Sequence, residues 1–516
     1  MRTFILAVLV CAQVAVAQQT GRRGRGGAPP AGPTTAPTSA FVDEKPVVTH
    51  HEIQLNGKTI KYTATVGQMP LKDQSGDTEA HIFYMAYTLD DADAPTRPLT
   101  FAFNGGPGAA SLWVHMGGFG PKRVKLMDDG NMPPPPFQFV DNESTWLDRT
   151  DLVFIDPVGT GYSRAKSTEV ARRMNGVQGD LQSVSEFIRM YITRNERFTS
   201  PMFIAGESYG TFRAAGLAGT LIDQGIAVNG IVLVSTVLNY AVLRPNLLNP
   251  NAYAVHLPTF TADAWYHKKL SSDLQSKALA DVLKDSEQWA MGGYLDALNK
   301  GTLLAGQERK AAVDKTARLT GLDAKYVDDS ELRIDVGHFT RQLLRDQHLT
   351  IGRLDGRLTG PSPLDAGEFS EFDPSSTLVR PPFQAAFLHY LRSELGYKSD
   401  EKYFVEGGIM PWDFGTPNSF AQTGTLLNDA FEKNPYMKVL VCAAYYDLAT
   451  PFFSAQYTMD HLGIHQDRMK DISWAYYQSG HMMYIEKDSR AKLKKDVTDF
   501  MRKAMGREGG EVGEAK

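Results

Sequence analysis

The chain predicts an α/β fold: a mostly parallel central sheet with helices on both faces, carrying a mainly helical cap insertion. Three observations predict it. Short, continuously apolar runs at residues 99–103, 152–155, 202–205 and 230–234 read as strands buried on both faces. Leu181, Val184, Ile188 and Tyr191 recur at helical spacing ahead of the third run, and strands alternating with helices argue for parallel pairing. A complete Gly-x-Ser-x-Gly, Gly206-Glu207-Ser208-Tyr209-Gly210, then joins residues 202–205 to a small-residue stretch that can start a helix. Strand, sharp turn and helix is the setting in which a serine hydroxyl stands clear at the top of a sheet.

At 516 residues the chain exceeds the size at which one core stops growing, so a core with an added subdomain is expected. Residues 1–17 read as a secretory signal: Arg2, an apolar stretch over 4–10, and Ala15-Val16-Ala17 before Gln18. No later run approaches the roughly 18 apolar residues of a membrane span. The expected product is exported, periplasmic or extracellular, with no stable membrane anchor. Cys11 falls inside the signal, which leaves Cys442 as the sole mature cysteine and no intramolecular disulfide. That usage fits a bacterial periplasm or cell exterior better than a eukaryotic secretory route, so the sequon at Asn142 is read as incidental.

Residues 18–45 form a Gly/Pro/Arg-rich linker without apolar periodicity, expected to be disordered. Its Gly-Arg cluster reads as a solvated spacer. The net charge of −5 leaves no electrostatic footprint for nucleic acid.

The first part of the core, 46–242, opens with β-like runs at 52–55, 59–65 and 81–87, followed by the buried strands above. From 243 to 403 the pattern changes to charge-rich helical windows such as 274–290 and 339–348, with no buried strand of the earlier type. This is the expected cap over the site, with Trp265 and Tyr266 open to either core or pocket. The α/β pattern resumes over 404–505 with runs at 439–444 and 472–477. A closing helix places Leu493, Val497, Phe500 and Met501 on one face. Residues 506–516 read as a flexible tail.

A serine hydroxyl becomes a nucleophile only when a base takes its proton and an acid orients that base. In this kind of sheet the chain order is Ser, acid, His, each in a loop after a strand. Ser208, Asp447 and His481 satisfy both order and placement. Separately they read as an elbow match, a turn Asp and a loop His; jointly they read as a triad. Acyl transfer also needs main-chain N–H donors around a developing oxyanion. Tyr209 supplies one, and the glycine loop Asn104-Gly105-Gly106-Pro107-Gly108, after the run at 99–103, suits the other.

These motifs, with Gly120-Pro121, Asp156-Pro157-Val158-Gly159-Thr160-Gly161-Tyr162-Ser163 and Gly480-His481-Met482, run in order over about residues 80–500. Together they resemble the serine carboxypeptidases, peptidase family S10, of the α/β-hydrolase superfamily. The resemblance implies an α/β-hydrolase fold and a triad of Ser208, Asp447 and His481. It implies oxyanion donors at Gly106 and Tyr209, and no metal or cofactor. Asn104, Gly105 and Glu207 would sit where the family binds the C-terminal carboxylate of a peptide. An acid beside a carboxylate requires one of them to be protonated, hence the family's preference for acidic pH.

Three positions depart from the family pattern. Ala102 replaces a Trp, Ala109 a Cys, and Gly118 a second Glu, so the acid pair that shares a proton is lost. With Glu207 alone, activity is expected to extend closer to neutral pH. The implied activity is carboxypeptidase action on peptides with a free C-terminus. An esterase or acyltransferase using the same triad is the alternative favoured by Ala102 and Gly118. A non-catalytic binding protein would be expected to have lost a triad member, and none is missing.

Overall fold

Along the strands that flank the elbow, successive side chains enter different cores. Phe203, Ala205, Val232, Val234, Leu440 and Cys442 point to one side; Ile204, Ile231, Leu233, Val439 and Val441 point to the other. Such strands are buried on both faces and must carry helices on both. The computed structural model describes residues 41–364 and 366–506. The expected signal peptide, most of the expected linker and the tail beyond Gly506 lie outside the described residues.

Among the described residues the main sheet has ten strands. They are β1 (Val47–Leu55), β2 (Lys58–Lys72), β3 (Thr78–Leu89), β4 (Leu99–Phe103), β5 (Asp151–Ile155), β6 (Arg164–Ala165), β7 (Met202–Glu207), β8 (Gly230–Val234), β9 (Lys438–Ala444) and β10 (Ile472–Tyr477). The order across the sheet is β1-β2-β3-β5-β4-β7-β8-β9-β10, with β6 pairing beside β3. From β5 to β10 every pairing is parallel; β1, β2 and β3 form an antiparallel edge. The α/β-hydrolase architecture expected from the sequence is present.

Helices α1 (Val177–Arg194) and α2 (Tyr209–Asp223) cover one face: Leu181, Val184, Phe187 and Ile188 of α1 pack with Leu217 and Leu221 of α2. On the other face lies the closing helix, Lys487–Ala504, with Leu493, Val497, Phe500 and Met501 inward.

The insertion between β8 and β9 is mainly helical and has a core of its own around Leu257, Phe260, Val282 and Phe339. Two expectations for it are corrected. The window 274–290 is not one helix. Ala278, extended at φ −61° and ψ 143°, separates Ser272–Gln275 from Leu279–Trp289. The window 339–348 starts earlier, because the Asp335 carboxylate accepts from the His338 N–H and caps a helix over Val336–Gln342. The insertion also holds a small antiparallel hairpin, Leu349–Ile351 with Thr359–Pro361. Three-residue strands are too short to show a pattern in sequence. The loop of this hairpin proves central to the site.

Candidate active site

Ser208 sits at the tip of the strand-to-helix turn with φ 58° and ψ −129°, a conformation that costs a non-glycine residue energy. Its neighbours make the turn possible. A Cβ on Gly206 would lie 2.0 Å from the Gly210 carbonyl oxygen, and one on Gly105 would lie 2.2 Å from the Tyr209 nitrogen. The glycine loop therefore presses directly on the elbow, an approach only glycine permits. Tyr209 opens α2, where first-turn N–H groups have no acceptor within the helix.

Asp447 follows β9 and is fully buried. One carboxylate oxygen accepts from the N–H groups of Ala449 (2.8 Å) and Thr450 (2.9 Å). The other accepts from Thr450 Oγ1 at 2.7 Å and lies 2.8 Å from His481 Nδ1. The far ring nitrogen, Nε2, is 3.6 Å from Glu207 Oε1. Burial alone would lower the His481 pKa; the charge and hydrogen bond of Asp447, with Glu207, outweigh it and raise the net value.

Glu207 ends β7, just before Ser208. Asn104 Nδ2 donates to its Oε2 at 2.8 Å, and Tyr484 Oη donates to its Oε1 at 3.4 Å. Burial pushes its pKa up, against the pull of His481 and Asn104. Asn104 is itself held, since its Oδ1 accepts from the Val114 N–H at 3.0 Å. At Gly118, where the family pattern has a second acid, a Cβ would lie 3.0 Å from Tyr484 Cβ; at Gly117 it would lie 2.3 Å from the Tyr484 ring. The Tyr484 ring covers Gly117, its Cβ and the Arg490 stem face Gly118, and its hydroxyl supplies a donor to Glu207. Asn142 is buried with its amide donating to the carbonyls of Gly118 (2.8 Å) and Gly120 (2.7 Å), so the sequon nitrogen is engaged inside the fold.

Ser208, His481, Glu207, Gly106 and Tyr209 all line one cleft of about 500 Å³. The structure thus gathers the serine, the histidine and the expected oxyanion positions around a single space, with Asp447 directly behind the histidine. Trp265 and Tyr266 are not part of its wall: Trp265 packs in the insertion with its Nε1 on the Lys277 carbonyl at 3.2 Å.

Besides Tyr484, four contributors were not singled out from sequence. Arg213 in α2 donates from Nε to Asp180 of α1 at 2.8 Å. Ser235, at φ 56°, donates its hydroxyl to the His481 carbonyl at 2.6 Å. Thr450 braces Asp447. The hairpin loop of the insertion wedges between the two catalytic-type loops: the Leu354 carbonyl accepts from the His481 N–H at 2.6 Å, and the Arg353 carbonyl from the Leu448 N–H at 3.2 Å. A lone Arg within the small-residue stretch of α2 was a legible signal for Arg213. The loop contact joins residues about a hundred positions apart and leaves no local pattern.

A family model described as serine carboxypeptidase matches residues 61–320, just over half of the chain. The chain belongs to the serine carboxypeptidase family. Among individual relatives, the pheromone-processing carboxypeptidase KEX1 of Saccharomyces cerevisiae is 29% identical over 155 residues, 28% of this chain and 20% of that protein. The protein of the same name in Coprinopsis cinerea is 33% identical over 156 residues, 30% of this chain and 24% of that one. Serine carboxypeptidase-like 36 of Arabidopsis thaliana is 30% identical over 166 residues, 30% of this chain and 31% of its own length. The chain thus spans between a fifth and a third of the curated relatives it matches. Among solved structures, a proline iminopeptidase of Mycobacterium smegmatis aligns over 85% of this chain and 98% of its own, at 14% identity and a TM-score of 0.35. No helix among the described residues is long and apolar enough to cross a membrane.

Proposed function

We propose that this serine carboxypeptidase family member removes residues from the free C-terminus of peptides through an acyl-enzyme on Ser208. The observation that carries the reading is the Asp447–His481 contact at 2.8 Å, with His481 turning its other edge to the cleft that holds Ser208. Ser208 Oγ attacks the scissile carbonyl while His481 Nε2 takes its proton. Asp447 keeps the Nδ1–H tautomer and stabilises the imidazolium. The N–H groups of Gly106 and Tyr209 receive the oxyanion, and His481 returns the proton to the departing amine. Water then repeats the sequence on the acyl-enzyme. Protonated Glu207, with Asn104 and Gly105, takes the C-terminal carboxylate; the burial that raises its pKa keeps that proton in place.

Export is part of the same reading and rests on residues 1–17 of the sequence. An esterase or acyltransferase remains the second reading, favoured by one observation: Tyr484, not an acid, fills the space beside Glu207.

The test is mass spectrometry of a mixed peptide set digested at pH 4 to 8, beside Ser208→Ala. Ladders losing one C-terminal residue at a time, absent in the variant, are expected. Intact peptides with turnover of simple esters would move the assignment to the second reading.

A further inference from the structure

The cleft is lined by three arginines and two acids, and these do not cancel. Arg380 pairs with Glu406 across the wall. Glu207 is buried beneath Asn104 and Tyr484. That leaves Arg353 and Arg244, both exposed and neither in an ion pair among the described residues. The free charge of the cleft is therefore positive, in a chain whose formal net charge is −5.

Arg353 is not a floppy surface arginine at its base. Its N–H donates to Asp373 Oδ1 at 3.2 Å, and its carbonyl accepts from Leu448 one residue past Asp447. The next residue, Leu354, donates to Ser375 Oγ at 3.0 Å and accepts from the His481 N–H. Asp373, which accepts from the Arg353 N–H, is taken up as the cap of the helix Pro374–Ser393, accepting from the Ser375 N–H at 3.0 Å, and Asp355 in the same loop pairs with Arg357. The root of Arg353 is thus fixed to the same two loops that carry Asp447 and His481. Its charge reaches His481, where it opposes protonation. On a second wall, Arg244 stands with its Cζ 5.6 Å from the centroid of the Tyr240 ring, which itself lines the cleft beside Phe414.

We propose that Arg353 and Arg244 make this cleft a receptor for acidic peptides, each guanidinium donating to a side-chain carboxylate near the scissile bond. This deepens the carboxypeptidase reading and rests on it for the position of the scissile bond. A guanidinium presents paired donors that match a carboxylate, and in a partly enclosed cleft such bonds are stronger than at an open surface. The same chemistry could instead meet the α-carboxylate of the substrate, so the test separates the two sources.

Full-length Ser208→Ala is titrated with fluorescent hexapeptides that differ only in carrying Glu, Gln or Lys at either of the last two positions, each also as the C-terminal amide. Binding is read by anisotropy. Glu peptides are expected to bind about tenfold tighter than Gln peptides, the scale of one charge-assisted hydrogen bond. The advantage should survive amidation, shrink with added salt, and fall to about twofold or less when Arg353→Gln and Arg244→Gln are added. Arg353→Lys should retain part of it. Equal binding of Glu and Gln peptides, no measurable binding by any Glu peptide, or a preference untouched by both substitutions overturns the proposal. So does an advantage confined to free over amidated C-termini, which would assign the arginines to the α-carboxylate. Glu peptides that bind as expected yet are not shortened by the Ser208 enzyme would overturn the carboxypeptidase reading and leave this one standing.

Discussion

Arg213 Nη1 donates to the main-chain oxygen of Asn104 at 2.7 Å, joining residues 109 positions apart. The other edge of the same guanidinium is held by Asp180, and both side chains of the pair are almost wholly buried. Burial raises the Asp180 pKa, and Arg213 pulls it back. The pair therefore ties α1, α2 and the glycine loop into one rigid corner behind the elbow. Lysine keeps the charge but lacks the rigid planar fork that spans the Asp180 carboxylate and the Asn104 carbonyl. Arg213→Lys is expected to lower kcat about tenfold by loosening Asn104 and the Gly105–Gly106 donors. A lysine variant with unchanged kcat would show that the glycine loop holds its position without the guanidinium. Asp180→Ala, which strands the buried cation, should destabilise by about 3–5 kcal/mol in denaturant titration.

The Asp447 carboxylate accepts bonds from two N–H groups and the Thr450 hydroxyl in addition to facing His481. These fix the oxygen against which the imidazole orients. Asp447→Asn should preserve the fold but present a donor to Nδ1, favouring the wrong tautomer and lowering kcat on the order of 10⁴-fold. Thr450→Val removes one brace only, and a loss of about tenfold is expected. Stopped-flow acylation with an activated ester reads both without interference from product release.

What was legible in the sequence is what depends on local pattern. The elbow, the glycine loop and the strand-end positions of Asp447 and His481 each declare themselves within a few residues, and periodicity marks the parallel strands. Boundaries were less legible: β2 runs to Lys72, and all of β3 from Ala80 to Tyr87 is buried, because its two faces lie under different cores and alternation is lost. The support shell was not legible. Ser235 on the His481 carbonyl, Arg353 and Leu354 between the two loops, and Tyr484 against Gly117 and Gly118 are all contacts made by folding, with no spacing rule to announce them.

Glu207 and His481 titrate within 3.6 Å of one another, and burial and neighbours raise the pKa of each. A raised His481 value places the acid limb of kcat/KM above the ordinary imidazole range, because the base must be neutral. A raised Glu207 value keeps its carboxyl protonated past the ordinary carboxylate range, so in the proposed mechanism binding of a free C-terminus is expected to persist toward neutral pH and fade as that proton is lost. Glu207→Gln keeps the neutral form that Glu207 has where His481 titrates, so the acid limb stays in place. It removes the ionisation that ends carboxylate binding, so the alkaline limb moves up or disappears. The comparison is a pH profile of kcat/KM on one peptide, with its C-terminal amide as control. An unchanged alkaline limb would detach Glu207 from carboxylate binding.

Asp263 lies in the insertion helix Leu257–Tyr266, fully buried, and among the described residues neither of its carboxylate oxygens has a hydrogen-bond partner. It backs onto Gly356 of the loop that braces His481, so closely that a Cβ there would come within 2.1 Å of Oδ1. Burial, then the charge of Asp355, raise its pKa well above the usual Asp value, against the pull of Arg357 and with a smaller push from Asp447. The folded state therefore holds a proton that the unfolded chain releases near pH 4. Its contribution to stability is complete below that pH and is lost as pH rises toward the folded value, at about 1.4 kcal/mol per pH unit from this group alone. Asp263→Asn has no proton to lose. Thermal melts of both proteins at pH 4.5, 6 and 7.5 should show a gap in favour of the variant that widens with pH. A constant gap, or one that narrows, would mean that Asp263 is ionised in the fold and that its charge is met by a group other than those packed around it.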